Sequence, residues 1–138
     1  MEDRLLALLA DRHGGVVATL KKDGRPQLSN VSYTFDPERR LVRASITDDR
    51  AKTKNLRRDS RVSFHVTAAN FRSYVVAEGD AELTPVAATP DDATVEELIE
   101  VYRAIVGEHP NWDEYRAAMV ADRRLVLRIP VSRVYGMA

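Results

Sequence analysis

The sequence predicts a mainly β fold with inserted helices: a small barrel of six mostly antiparallel strands. Three observations lead to this prediction. Short runs of alternating apolar and polar residues recur along the chain, as in strands with one buried face. Turn-forming residues separate those runs, and four other stretches have helical patterns. The chain has 138 residues, which is near the commonest domain size, so we expect residues 1–138 to form one domain.

The first half of the chain opens with a helix, because four leucines between residues 5 and 9 share one broad helical face. Gly14-Gly15 is the predicted C-cap of this helix. An Asp-Gly turn at residues 22–25 then predicts a hairpin, and a turn at residues 36–39 leads to a third strand. The three strands are predicted over Gly15–Leu20, Gln27–Phe35 and Leu41–Ile46, and a basic helix follows to about Arg58.

The second half supplies three more strands and two more helices. The strands are predicted over Arg61–Thr67, Ser73–Leu83 and Leu125–Tyr135. Gly79 and Pro130 interrupt the last two strands, so we expect a bulge, bend or edge position at each. The helices are predicted over Thr94–Val106 and from Trp112 to about Asp122. Asp91 or Asp92 is the predicted N-cap of the first of these helices, and Asn111 caps the second.

Composition excludes several classes of function. The formal net charge is zero, whereas a dedicated nucleic-acid binder usually has a clear basic excess. Cysteine is absent, which excludes disulfides and thiol catalysis. No apolar run approaches the roughly 20 residues of a membrane span, so we expect a cytoplasmic protein that does not bind a membrane. The three histidines lack metal-ligand spacing, and we predict neither a metal nor a covalent nucleophile.

The segment from Thr47 to Arg58 is the strongest candidate for a binding site. Arg50 and Lys52 fall in the first turn of the predicted helix, where the macrodipole favours anions over cations. Their position is favourable if a phosphate binds at that helix end, where free amide groups point outward. Two plainer interpretations stay open: Asp48 or Asp49 could cap the helix, and the basic residues could form a solvated surface.

Four segments carry a resemblance to a known family: GRPQLSNV at residues 24–31, RAKTKNLRRD at 50–59, SYVVAEG at 73–79 and RVYG at 133–136. Together they resemble the split β-barrel flavin and deazaflavin family that includes pyridoxamine 5'-phosphate oxidase. They are most similar to its actinobacterial and mycobacterial subgroup that uses coenzyme F-420. An actinobacterial source also fits the excess of 17 Arg over 4 Lys.

The resemblance implies an FMN-binding split barrel that forms a homodimer, with cofactor sites at the subunit interface. Arg50, Lys52, Thr53 and Asn55 would hold the cofactor phosphate. The ring-binding cleft would be lined by Gln27, Ser29, Asn30, Ser45 and Ile46, and Tyr74 of the partner would close the site. Arg72 stands where the subgroup has tryptophan. As alternatives, the polar side chains on the second strand could form a half-exposed sheet face, and Tyr74 could be a packed aromatic residue.

Three functional hypotheses follow, and no catalytic residue is assigned under any of them. The first is an oxidoreductase that uses coenzyme F-420, an 8-hydroxy-5-deazaflavin, to transfer a hydride to a small-molecule acceptor. The second is an FMN-dependent oxidase of pyridoxamine or pyridoxine 5'-phosphate. The third is a non-catalytic deazaflavin carrier or sensor. All three fit a chain without catalytic side-chain machinery, because a cofactor would carry the chemistry.

Overall fold

Two antiparallel sheets and four helices make up the computed structural model, which describes all 138 residues. One sheet has five strands in the order β2-β1-β5-β6-β9, and the other has four in the order β3-β4-β8-β7. The helices are α1 (Glu2–Asp11), α2 (Ala51–Arg58), α3 (Ala93–Ile105) and α4 (Trp112–Ala121). The strands are β1 (Gly14–Leu20), β2 (Pro26–Ser32), β3 (Thr34–Asp36), β4 (Leu41–Thr47), β5 (Arg61–Thr67), β6 (Tyr74–Asp80), β7 (Glu82–Leu83), β8 (Arg124–Pro130) and β9 (Arg133–Met137).

The predicted fold class is confirmed, but the six predicted strands are nine in the structure. Three of the predicted strands bend and pass from one sheet to the other, so that each becomes two strands. The bends lie at Tyr33, at Ala81 and at residues 131–132. Alternation of apolar and polar residues continues through such a bend, so the sequence pattern does not reveal it. The result is a split barrel of two facing sheets.

The main hydrophobic core fills the space between the two sheets. Val17, Phe64 and Val75 contribute from the five-stranded sheet, and Val42 and Leu127 from the four-stranded sheet. All five are essentially inaccessible to solvent. Burial of this kind contributes about 25 cal/mol for each Å² of apolar surface removed from water. The core therefore holds the two sheets at a fixed separation.

Tyr33 ties the N-terminal helix to the bend between β2 and β3. Its ring is fully buried and packs edge-on against Phe64 at a centroid separation of 4.7 Å. Its hydroxyl donates a 2.5 Å hydrogen bond to the carbonyl of Leu9. This contact satisfies the hydroxyl inside the core and fixes the position of α1.

The predicted C-cap of the first helix is wrong. Helix α1 ends at Asp11, Arg12 is extended, and Gly14 and Gly15 are the first residues of β1. Gly15 has a packing role, since a Cβ there would lie 2.5 Å from Cζ of Phe64. Glycine at this position reflects a close tertiary contact, which a local capping rule cannot distinguish from a helix end.

Helices α3 and α4 pack against the four-stranded sheet and form a second apolar cluster there. Their predicted N-caps are confirmed: Asp92 accepts from the amide of Val95, and Asn111 accepts from the amide of Glu114. These caps satisfy amide groups that would otherwise lack partners at the helix ends. The two helices thus have fixed starting points above the sheet.

An ionic cluster attaches α3 to the sheet. Glu97 of α3 accepts two hydrogen bonds from the guanidinium of Arg128, the Nε bond measuring 2.9 Å. Nη1 of Arg43 lies 3.7 Å from the same carboxylate, and the side chains of both Arg43 and Glu97 are largely buried. The hydrogen bonds from Arg128 are the largest cause of a lowered pKa of Glu97. The carboxylate is therefore ionised and shared between two strands, β4 and β8.

Gly79 of β6 lies at a close approach to β8 of the other sheet. The pairing of β5 with β6 is regular through this residue, so the predicted bulge is absent. A Cβ at Gly79 would instead lie 2.3 Å from the carbonyl oxygen of Pro130, the last residue of β8. The glycine permits a close approach of the two backbones.

Gly79→Ala should therefore destabilise the protein by about 1–3 kcal/mol, because the backbone of β8 must move to admit the methyl group. The measurement is urea unfolding followed by circular dichroism. Gly14→Ala is the matched control, since no atom lies within 4 Å of a Cβ at Gly14. The control should change stability by no more than about 1 kcal/mol. Equal midpoints for the two variants would contradict the close contact.

Candidate cofactor site

A cavity of about 590 Å³ opens between the two sheets and the last two helices. One wall is polar and comes from β2, β4 and the start of α2. The opposite wall is mainly apolar and comes from α3 and α4. The polar wall consists of Ser29, Asn30, Ser32, Ser45, Thr47, Arg50 and Lys52. The apolar wall consists of Val101, Tyr102, Ile105, Val106, Tyr115 and Met119.

Three cations line this cavity: Arg50, Lys52 and Arg124. None of the three forms an ion pair with a carboxylate, whereas nearby Arg57 and Arg123 both pair with Asp48, at 2.6 and 2.8 Å. Burial, followed by the charges of Arg50 and Arg124, lowers the pKa of Lys52. An anion in the cavity would favour the protonated form of Lys52, because its negative charge would offset the positive charges that surround this side chain.

The first turn of α2 adds to this positive field. Arg50 occupies the N-cap position, no side chain caps the helix, and no acidic residue lies in its first turn. The interpretation of Asp48 or Asp49 as the cap is therefore wrong. The carboxylate of Asp48 instead accepts hydrogen bonds from Arg57 and Arg123. The first amide groups of α2 therefore have no side-chain cap, and uncapped amides at a helix start can bind an anion.

Buried polar atoms without partners concentrate at the cavity. The structure contains four such side-chain atoms, and three of them belong to residues of the cavity wall: Oγ of Ser29, Oγ1 of Thr47 and Nε of Arg124. Each unsatisfied buried group costs about 1–3 kcal/mol. The cavity wall therefore contains polar side chains that the chain itself leaves incompletely paired. The residues present thus fit a flavin-like or deazaflavin-like phosphate cofactor.

Six of the ten side chains predicted to bind a cofactor line the cavity. They are Ser29, Asn30, Ser45, Ile46, Arg50 and Lys52. They come from two strands in different sheets and from the helix that follows β4. The structure therefore brings together residues that are separated by up to about one sixth of the chain.

Thr53 and Asn55 do not reach the cavity, and their side chains have structural partners. The hydroxyl of Thr53 is fully buried and donates a 2.7 Å hydrogen bond to the carbonyl of Thr47. The amide of Asn55 donates to Oγ1 of Thr19 at 3.1 Å, and its oxygen accepts from Arg58. These contacts fix α2 to β1 and β4. The helix turns both side chains toward the sheets, away from its cavity-facing side.

Gln27 and Tyr74 also lie outside the cavity. The side-chain oxygen of Gln27 accepts a weak, 3.4 Å hydrogen bond from Thr19. Tyr74 lies on β6, which β1 and β5 separate from β2, and its ring stacks on His65 at 5.5 Å. Its predicted contribution from a partner subunit stays a prediction.

Arg124 and the apolar wall were not predicted from the sequence. Arg124 faces the cavity because β4 pairs with β8 in a register that places Thr47 opposite Arg124. This pairing joins residues 77 positions apart, and no local pattern indicates it. The wall has a weak sequence signal, since aromatic residues cluster near residues 102–115. Tyr115 donates to the carbonyl of Leu98, and burial raises its pKa to about 12.

Comparison with known proteins agrees with this geometry. The model of the pyridoxamine 5'-phosphate oxidase family matches residues 1–138. The chain belongs to this family. Members of the pyridoxamine 5'-phosphate oxidase family are oxidoreductases, and the chain is accordingly an enzyme of that class. Its fold, two sheets joined by three bends, is the split barrel expected of the family.

Individual relatives are consistent with that membership. The chain is 30% identical over its whole length to the F420H(2)-dependent biliverdin reductase of Mycobacterium tuberculosis, of which it covers 89%. A conserved hypothetical protein of the same organism superposes with a TM-score of 0.74 at 22% identity, over 99% of this chain and 84% of the other. An F420 reductase superposes with a TM-score of 0.65 at 22% identity, over 94% of each chain.

Two further features of the structure bear on the site. No helix has the length and apolar character needed to cross a membrane. No group of three or more His, Asp or Glu side chains is arranged to hold a metal ion.

Proposed function

We propose that this family member is a reductase that uses coenzyme F-420 to reduce a small-molecule acceptor. The single observation that carries the proposal is the set of three cations without carboxylate partners around one cavity. The 30% identical relative is named as a reductase that uses the same coenzyme, which favours the deazaflavin over FMN. When bound, the deazaflavin supplies a hydride.

The residues of the polar wall would bind and orient this cofactor. Arg50, Lys52 and the open amides of α2 hold the phosphate through charge-assisted hydrogen bonds. Ser29, Asn30 and Ser45 offer hydroxyl and amide groups to the polar edge of the ring. Ile46 of β4 lines the same cavity, although its side chain is almost wholly buried in the core. The chain therefore contributes orientation and electrostatics, and the cofactor contributes the reactive atom.

The apolar wall would bind the acceptor and exclude water. Tyr102 and Tyr115 stand at the cavity with ring centroids 5.0 Å apart. Trp112 packs edge-on against both rings, at 5.6 and 5.5 Å, and stiffens the wall from behind. A rigid aromatic surface favours a flat, conjugated acceptor. Biliverdin, which the relative's name gives as its substrate, is the first acceptor to test.

The proposal includes a homodimer in which the partner's Tyr74 closes the site. The face of the five-stranded sheet that points away from the core carries exposed apolar residues on its edge strand, Tyr135 and Met137. Exposed apolar edge strands gain stability when they are covered by a second copy. Sedimentation or light scattering should show a dimer if the proposal is correct.

Equilibrium binding of FMN and coenzyme F-420, titrated side by side and followed by fluorescence, tests the cofactor assignment. We expect the deazaflavin to bind the more tightly. Tighter binding of FMN, with hydrogen peroxide formed on addition of pyridoxamine 5'-phosphate, would instead identify an FMN-dependent oxidase. Stoichiometric binding of the deazaflavin without reduction of biliverdin, quinones or enones would identify a carrier or sensor.

A further inference from the structure

Arg124 is the cavity cation that has a buried donor atom without a hydrogen-bond partner. It is the first residue of β8 and lies opposite Thr47 of β4. Its Nη1 makes only long hydrogen bonds to Ser45, 3.4 Å to the carbonyl and 3.3 Å to the hydroxyl. Its Nε is buried and has no hydrogen-bond acceptor. The Oγ1 atom of Thr47 is also buried and has no hydrogen-bond partner. A guanidinium with a free, buried donor requires a partner that the chain does not supply.

The preceding residue has the environment of an ordinary surface arginine. Arg123 is 66% exposed, and its Nη2 lies 2.8 Å from the carboxylate of Asp48. The two neighbours thus have opposite environments: one is solvated and neutralised, and the other is partly buried beside two more cations. Side-chain entropy and desolvation both oppose the second arrangement. Backbone pairing with β4 already holds this strand end, so the register of β8 does not require Arg124.

We propose that Arg124 forms the second half of the phosphate site, opposite Arg50 and Lys52. The inference rests on the proposed function, because it concerns the same cavity. One phosphate would then be held from two elements, the start of α2 and the start of β8. The guanidinium presents several N–H donors in a fixed plane, which matches the oxygens of a phosphate.

The charges around the cavity support this arrangement. The charge of Arg124 is among the causes of the lowered pKa of Lys52, and both side chains line the same cavity. A cofactor phosphate carries at least one negative charge and presents at least two non-bridging acceptor oxygens. It can therefore accept charge-assisted hydrogen bonds from cations on both sides of the cavity.

The test compares three variants of the full chain: Arg124→Ala, Arg124→Lys and the matched control Arg123→Ala. Affinity for coenzyme F-420 is titrated by fluorescence at low and high salt. Arg124→Ala should weaken binding by about tenfold to a hundredfold and reduce its salt dependence. Arg124→Lys should recover part of the loss, because lysine keeps the charge without the planar donors. Arg123→Ala should change affinity by less than about threefold, as for an exposed ion pair.

A second measurement does not depend on the cofactor. Inorganic phosphate should raise the melting temperature of the ligand-free chain, since a ligand of the folded state stabilises it. The rise should disappear in Arg124→Ala and persist in Arg123→Ala. Without phosphate, the melting temperature of Arg124→Ala should equal or exceed that of the unsubstituted chain, because a buried uncompensated charge is removed. A lower value would assign Arg124 a structural role and overturn the inference.

The outcomes separate this inference from the proposed function. If the unsubstituted chain does not bind the deazaflavin, the proposed function fails. If it binds and Lys52→Ala weakens binding while Arg124→Ala does not, the proposed function stands and the role of Arg124 is overturned. If Arg124→Ala leaves cofactor affinity unchanged but raises the KM of the acceptor, the arginine binds an anionic group of the acceptor instead, and the inference is also overturned.

Discussion

Replacing Lys52 with alanine should weaken the binding of coenzyme F-420 by about tenfold to a hundredfold. The substitution removes a charge-assisted hydrogen bond to phosphate, which contributes about 1.5–3 kcal/mol. Lys52 has no carboxylate partner to lose and lies at the uncapped start of α2. Burial and the neighbouring cations lower its pKa in the free chain. Affinity should therefore fall with rising pH once Lys52 begins to lose its proton, because only the protonated form attracts the phosphate.

Lys54→Ala is the matched control for this experiment. Lys54 carries the same charge in the same helix, two residues further on, but it is exposed and does not line the cavity. Its removal should leave affinity unchanged at moderate salt, where exposed charges are screened. Fluorescence titration of both variants provides the measurement. If the two variants bind the coenzyme with equal affinity, the phosphate does not bind at this helix end.

Replacing Glu97 with alanine should destabilise the fold by about 2–4 kcal/mol. The substitution leaves the largely buried Arg43 with only the exposed carboxylate of Glu100 beside it, and the loss of one partner from a buried ion pair costs about 3–5 kcal/mol. The lower figure allows for Arg128, whose side chain is 37% exposed and can regain water. The measurement is the free energy of unfolding in urea.

Glu100→Ala is the control for the ionic cluster. Glu100 lies one turn of helix away and 3.6 Å from the same Arg43, but its side chain is 63% exposed. Its loss should cost less than about 1 kcal/mol. The native cluster should also be sensitive to acid. Because the pKa of Glu97 is lowered in the folded chain, its contribution is complete above about pH 5 and is lost as the pH falls through that lowered value. Acid unfolding that is identical with and without Glu97 would contradict this role.

The sequence predicted those parts of the fold that are determined by residues close together in the chain. The Asp-Gly turn, the caps at Asp92 and Asn111, and the helix beginning after Arg50 are each determined within a few positions. The positions of the three bends were not predictable, because they depend on which sheet a strand joins. That choice depends on contacts between residues far apart in the chain, such as the pairing of β4 with β8.

The residues of the candidate site also fall into a group that the sequence predicted and a group that it did not. Arg50 and Lys52 were predicted from their conflict with the helix dipole, and the structure places both at the cavity. Thr53 and Asn55 follow them in sequence, but the helical rotation of about 100° per residue turns these side chains into the protein. Arg124 was not predicted because its role depends on a strand register. An unfavourable charge at a helix end can thus be recognised from the sequence. The direction of a side chain and the residues that it contacts can be known only from the fold.

The position of the cavity between two sheets has a mechanical consequence. Its polar wall comes from β2 in one sheet and β4 in the other. The width of the cavity therefore depends on the separation of the two sheets, which side chains of the core maintain. Phe64 and Leu127 act as spacers of that gap although neither lines it. Ligand selectivity in such a barrel can therefore evolve by changes of volume in the interior, while every residue that touches the ligand stays the same.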